Sequence, residues 1–319
     1  HTLYSCGISY ANYLDVFFEK RFFKQYRSLF NEGETETARG IQPKAEALRK
    51  ESGMTGKQYA LLIGTNHYKG EGWDSLANPI YDAWEIGEVL REDYGFEVTL
   101  LKDPTADRIY QSLLTLYKVV QPNDQVLIFF AGHGDMDNYF SNDGFIVCSD
   151  SKAVSEDAAR TTYIPYARLK RMINRMASRQ TLLMLDVCHA GTFDDNVLAT
   201  KRDNKEYGIT NAKVLDLVRD NAQRQTRMVL TSVGLGRALD GRAGQHSPFA
   251  NLILQTLRAR GRNSEGIVRL DNLLQVLKAA NLQQTDRSTV RKMEPYAAPF
   301  GSYDPMGEYI LIPLDREMH

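Results

Sequence analysis

The stretch Thr181-Leu182-Leu183-Met184-Leu185-Asp186-Val187-Cys188-His189-Ala190-Gly191 decides how the rest of the chain is read. Four consecutive apolar residues run into an aspartate, a pattern that suits a short strand buried on both faces of a parallel sheet. The run then stops at a thiol, so a reactive side chain lies just past a strand's carboxyl end. Upstream, Gln125–Ala131 (QVLIFFA) has the same shape and leads into Gly132-His133-Gly134-Asp135. Two core strands therefore end, one on an imidazole and one on a thiol, each beside glycines that let another backbone approach.

Outward from these two, the same texture continues. Gln58–Gly64, Phe96–Leu101 and Arg227–Ser232 read as further strands, Glu308–Pro313 (EYILIP) closes the pattern, and Gly144–Cys148 reads as a minor hairpin strand. Helical periodicity falls at about 79–94, 105–120, 165–178, 248–260 and 270–280. Alternation of this kind predicts an α/β fold, an open and mainly parallel sheet covered by helices on both faces. Ligands gather at the carboxyl ends of such strands, where His133 and Cys188 are expected.

Residues 1–56 stand apart from this pattern. Aromatics recur at helical spacing between Tyr13 and Phe23, with Tyr26 and Phe30 continuing the stripe, so a helical extension is expected. Such a helix packs on the main domain or serves a regulatory or membrane-adjacent partner. The polar, glycine-interrupted stretch 31–57 reads as a linker. Residues 200–226 form the longest polar segment between two strands, read as a helix or an exposed loop. The chain opens on His1 rather than Met and is read as a processed or truncated form.

Composition narrows the function. Of 319 residues, 43% are hydrophobic and 25% charged, with a net charge of −1, so no basic surface argues for nucleic acid. No run of about 18 apolar residues spans a bilayer. Cys6, Cys148 and Cys188 are too few, and lack the CxxC spacing, for a disulfide framework or a structural zinc site. A reducing, cytoplasmic compartment is expected.

A thiol titrates near 8.5 and needs a base to become a nucleophile at neutrality; an imidazole near 6.5 can take its proton and return it to a leaving amine. His133 and Cys188 are candidates for that pair. The plainer readings are kept elsewhere: Cys148 as a buried small hydrophobe, and His1, His67, His246 and His319 as surface or hydrogen-bonded residues.

FAGHGD and LLMLDVCHAG, about 55 residues apart, resemble the signature of caspase-like cysteine peptidases, most nearly in the wording of metacaspases and bacterial caspase-like enzymes. ALLIGTNHY, NDGFIVCSD, TSVGLGRALDG, HSPFANLILQTL and GEYILIP extend the resemblance over roughly residues 57–313. It implies a caspase-like domain over 57–319 with a six-stranded sheet: a large-subunit-like part to about 200, a linker at about 200–226 and a small-subunit-like part over about 227–319. It implies His133 and Cys188 as a catalytic dyad, and the backbone N–H groups of Gly134 and Cys188 as an oxyanion hole. His189 is not the base in this family, and alternation along an extended strand turns it away from Cys188.

In metacaspases two aspartates bind a basic residue of the substrate. Asp186 matches one of them and shares a strand face with Cys188 by period-two geometry. Asp82, in NPIYDAW, fits the second position although the family's Cys-x-Asn-Asp wording is absent; its plainer reading is an exposed helix-start residue favoured by the macrodipole. Cleavage of proteins or peptides after Arg or Lys is therefore expected, with self-cleavage after one of the basic residues between 200 and 226. The dyad requires no cofactor. Several relatives need calcium, and Asp135/Asp137 and Asp194/Asp195 are acidic pairs near the site, but neither resembles a complete calcium loop. The alternatives are a peptidase of other specificity attached to a sensor system, and a scaffold that keeps the fold without catalysis.

Overall fold

The computed structural model describes residues 45–139, 141–188, 190–193, 211–233, 238, 240–259, 266–283 and 293–315. The expected N-terminal aromatic helix, His189 and the Asp194/Asp195 pair lie outside them. In chain order the elements are α1 (Ala45–Ser52), β1 (Gln58–Gly64), α2 (Pro79–Tyr94), β2 (Glu97–Lys102), α3 (Ala106–Val119), β3 (Gln125–Ala131), β4 (Gly134–Met136), β5 (Gly144–Ile146), β6 (Ile164–Pro165) and α4 (Tyr166–Asn174). They continue with β7 (Gln180–Asp186), α5 (Asn211–Gln223), β8 (Thr226–Thr231), α6 (Pro248–Arg258), β9 (Val268–Arg269), α7 (Leu270–Gln283), β10 (Tyr296–Pro299) and β11 (Ile310–Leu311).

Six strands form the central sheet in the order β10-β8-β7-β3-β1-β2. All neighbours are parallel except β10, which runs antiparallel to β8. The apolar runs alternate between two cores. Leu62, Leu127, Phe129, Leu182 and Met184 face α2, α6 and α7, whereas Leu61, Ile63, Ile128, Phe130, Leu183 and Leu185 face α3 and α4. Burial on both faces is why these strands are continuously hydrophobic rather than alternating. Each such Leu or Ile contributes about 1.5–3 kcal/mol on leaving water.

Register positions the site. Gly64 pairs with Ala131 and Ala131 with Asp186, so β1, β3 and β7 end level with one another. The loops that follow open at one sheet edge. Helix α2 begins beside this edge with Pro79 at its first position, and α6 begins beside it with Ser247 as N-cap and Pro248 next.

Two sequence expectations are corrected. Glu308–Pro313 does not join the central sheet: Ile310–Leu311 pairs with Val268–Arg269 in a separate two-stranded sheet. The sixth strand is Tyr296–Pro299, whose short YAAP sequence carries little strand signal of its own. The glycine-broken stretch read as a linker contains α1, which buries Leu48 together with Val214 and Val218 of α5. Within the segment 200–226, residues 211–223 are helical.

Candidate active site

At the carboxyl edge of β1, β3 and β7 lies a cleft of about 750 Å³. His133, Gly134, Asp135, Asp186 and Cys188 line it, together with Trp73, Asp74, Asp82, Asp240, Ser247 and Pro248. Every site residue expected from the sequence, Asp82 included, meets in this one cavity.

His133 is held on three sides. Its N–H donates to Tyr68 Oη at 2.9 Å, and its carbonyl accepts from the Val147 N–H at 3.1 Å. Its ring packs against Tyr68 and Trp73, with centroids 4.8 and 5.3 Å away. Nε2 lies 2.8 Å from the carbonyl oxygen of Asp74. A carbonyl only accepts, so this partner assigns the ring proton to Nε2 and leaves a lone pair on Nδ1 for use as a base. The loop carrying Trp73 and Asp74 was not singled out from the sequence, because a backbone carbonyl has no sequence signature.

The glycines around His133 are required by space. Gly132 has φ of +152°, and a Cβ there would stand 2.8 Å from Tyr68 Oη. A Cβ on Gly134 would stand 2.2 Å from the Cys188 carbonyl oxygen, so the strand after His133 and the turn after β7 touch backbone to backbone. β4 pairs Gly134 with Ile146 next to the His133–Val147 hydrogen bond, which makes Gly134 a non-hydrogen-bonded position. Its N–H therefore points out of the ladder, away from β5, on an edge strand of that small sheet. Cys188 follows β7 in a turn and is half-buried.

The carboxylates differ in their surroundings. Asp186, 5% exposed, accepts from Ser247 Oγ at 2.6 Å, while its Oδ1 has no hydrogen-bond partner among the described residues. Burial pushes its pKa up to about 7, against the pull of the Ser247 and Ser232 hydroxyls, and Asp82 and Asp240 add to the rise. Asp82 lies in the first turn of α2, 1% exposed, so the reading of an exposed helix start is excluded. It contacts His246 Nδ1 at 2.6 Å and accepts from the Ser247 N–H at 3.2 Å. Burial raises its pKa above the ordinary carboxylate value, and His246 opposes this. Asp240 accepts from the N–H groups of Ala77 and Asn78 at 2.8 and 3.2 Å. Asp240, Ser247 and His246 were missed as site residues: their contacts on β7, on α2 and just before α2 lie 61 to 165 positions away in sequence.

Asp135 and Asp137 do not fit a calcium ion. Asp135 accepts from Arg160 Nε at 2.6 Å, and Asp137 accepts from Tyr139 and Ser141. A guanidinium already stands where a cation would bind. Among the described residues no helix is long and apolar enough to cross a membrane.

Fold and cleft together define a caspase-like domain, and comparison with known proteins agrees. A family model described as the caspase domain matches residues 57–296, and the chain belongs to this family of cysteine peptidases. Metacaspase-1B of Aspergillus niger is 29% identical over 185 residues, which is 52% of this chain and 41% of that protein. Metacaspase-1 of Pyricularia oryzae is 35% identical over 94 residues, 26% of this chain and 23% of that protein. These matches span less than half of the relatives' length. Among solved structures, caspase-1 of Spodoptera frugiperda superposes with a TM-score of 0.54 at 14% identity, covering 83% of this chain and 92% of that one. A protein of Geobacter sulfurreducens gives a TM-score of 0.55 at 15% identity, covering 81% and 100%. At such identities these two show the fold alone.

Proposed function

We propose that the protein is an endopeptidase that cleaves after Arg or Lys, with Cys188 as nucleophile and His133 as base. The observation that carries the reading is the lining of the cleft: an imidazole and a thiol share it with Asp82, Asp186 and Asp240, and no Lys or Arg is among its described lining residues. Buried carboxylates around a cavity favour a cationic guest, since it offsets their desolvation. Asp186 Oδ1, which has no hydrogen-bond partner among the described residues, is one oxygen such a guest would satisfy.

In this mechanism Nδ1 of His133 takes the proton of the Cys188 thiol while Asp74 holds Nε2–H. The thiolate attacks the substrate carbonyl carbon, and the oxyanion is met by the N–H groups of Gly134 and Cys188. Collapse breaks the C–N bond, and the imidazolium protonates the departing amine. Water, deprotonated by His133, then attacks the thioester; the C–S bond breaks, the acid leaves and the thiol is restored. No step uses a cofactor. The peptidase domain covers 57–319, with self-processing in 200–226 and a regulatory role for 1–56. A thiol nucleophile suits a reducing compartment.

Peptides differing only in Arg, Lys or Asp before the scissile bond test the proposal. Arg and Lys peptides are expected to be cleaved at least about a hundredfold faster than the Asp peptide, and Cys188→Ala to abolish turnover. Mass spectrometry of both preparations reads self-processing as fragments formed by the wild type alone. Preference for Asp, or turnover that survives Cys188→Ala, contradicts the reading.

A further inference from the structure

His246 is contacted by a carboxylate on each ring nitrogen. Nδ1 lies 2.6 Å from Asp82 Oδ1 and Nε2 lies 2.7 Å from Glu85 Oε2. Ionised carboxylates only accept, so both nitrogens must carry protons and the ring is an imidazolium. Its side chain is 7% exposed, and its ring stacks on Tyr81 with centroids 4.3 Å apart and planes 7° from parallel. Glu85 is paired in turn with Arg258 of α6. A chain of alternating charge, Arg258–Glu85–His246–Asp82, thus runs from outside the pocket to its wall.

Asp82 is therefore not an uncompensated anion. Its neighbours toward the cavity are Ser247, whose N–H it accepts, then Asp186 and Asp240. Asp240 is occupied by backbone N–H groups, whereas Asp186 takes the Ser247 hydroxyl on Oδ2 and has no hydrogen-bond partner on Oδ1 among the described residues. We infer that His246 is a specificity-determining residue of the primary pocket, cancelling the charge of Asp82 so that Asp186 is the carboxylate whose charge a basic substrate meets. The inference rests on the Arg/Lys reading above and goes beyond it: the pocket's selectivity for charge is set by a residue on the far side of one of its own aspartates. The groups facing His246 from α2 are Tyr81, Asp82 and Glu85, and from α6 Arg258 acts through Glu85.

The titration of the pocket follows the geometry. The two carboxylates hold the His246 proton up to about 9, despite burial, which alone would release it. The pocket gains one negative charge as Asp186 ionises near 7 and a second when His246 lets its proton go.

The test compares an Arg peptide with its citrulline counterpart, which keeps the shape and removes the charge. Any effect of pH on the bond-breaking steps is common to both peptides and cancels in the ratio of their kcat/KM values. In the wild type the Arg-to-citrulline ratio is expected to rise in a second step near pH 9. In His246→Gln the ratio at pH 8 is expected to rise about tenfold, chiefly through the KM of the Arg peptide, with the step near pH 9 lost. A purely structural role for His246 would lower both peptides together and leave the ratio unmoved, which overturns the inference. If His246→Gln fails to fold, the wild-type profile decides: no rise in the ratio between pH 8 and 10 overturns it equally. Absence of any cleavage after Arg would remove the specificity reading itself, whereas cleavage with an unmoved ratio would remove only the role of His246.

Discussion

Gly134 shows how narrowly the cleft is built at the level of single residues. The space where a Cβ would lie is filled by the Cys188 carbonyl oxygen at 2.2 Å and by Cys188 C and N at 3.2 Å. These are backbone atoms and cannot swing aside, so any side chain must push β4 off the nucleophile turn. Gly134→Ala is expected to lower kcat by about 10²–10³ through a displaced oxyanion donor, with Cys188 still alkylated by a small thiol reagent. Retention of more than half the wild-type kcat would contradict the assignment. The residues GHG and DVCH were legible as a site because chemistry of this kind needs particular side chains at strand ends. His246 was not legible as part of it, since it precedes α6 while its partner Asp82 lies on α2, and only the fold makes them neighbours.

Among elements, α6 couples stability to the pocket through one hydroxyl. Ser247 Oγ accepts from the Ala250 N–H at 3.0 Å, capping the helix, and donates to Asp186 at 2.6 Å. Ser247→Ala removes both. The lost cap costs about 1 kcal/mol and the buried carboxylate left without its donor about 1–3 kcal/mol more. The hydroxyl also favours the ionised form of Asp186, so its loss moves that group's titration upward from about 7. Urea unfolding should show the lower stability, and the pH at which Arg-peptide KM falls should rise; an unchanged KM profile would detach Ser247 from the pocket. Strands β1, β3, β7 and β8 were readable because burial on both faces demands uninterrupted apolar runs. Tyr296–Pro299 was not legible as a strand, and Ile310–Leu311 was placed in the main sheet, for the converse reason. A short edge strand is chosen by its neighbours: YAAP is apolar enough only against β8, and EYILIP owes its burial to α1, α5 and Ile267.

Over the whole molecule, buried titrating groups give stability a definite pH dependence. The folded state holds the His246 proton to about 9 against an ordinary 6.5, so that contribution is full below 6.5 and is lost as pH rises to 9. Asp186 acts in the same sense at lower pH: its folded state favours the proton, and this contribution is lost between 3.8 and about 7. Glu85, lowered to about 2 by His246, Tyr81 and Arg258 although burial opposes it, contributes fully above 4.5 and loses that contribution as pH falls toward 2. The urea midpoint is therefore expected to fall between pH 6 and pH 9 in the wild type, and to fall less in His246→Gln; a midpoint rising over that window would contradict the buried imidazolium.

The central claim joins nucleophile, base and pocket, and covalent labelling tests all three. A peptidyl-arginine acyloxymethyl ketone incubated with the wild type should leave one adduct, mapped by mass spectrometry to Cys188. Cys188→Ala should take up none, and His133→Ala should react at least about a hundredfold more slowly. Labelling that persists in Cys188→Ala, or an aspartyl ketone that outcompetes the arginyl one, would contradict the account.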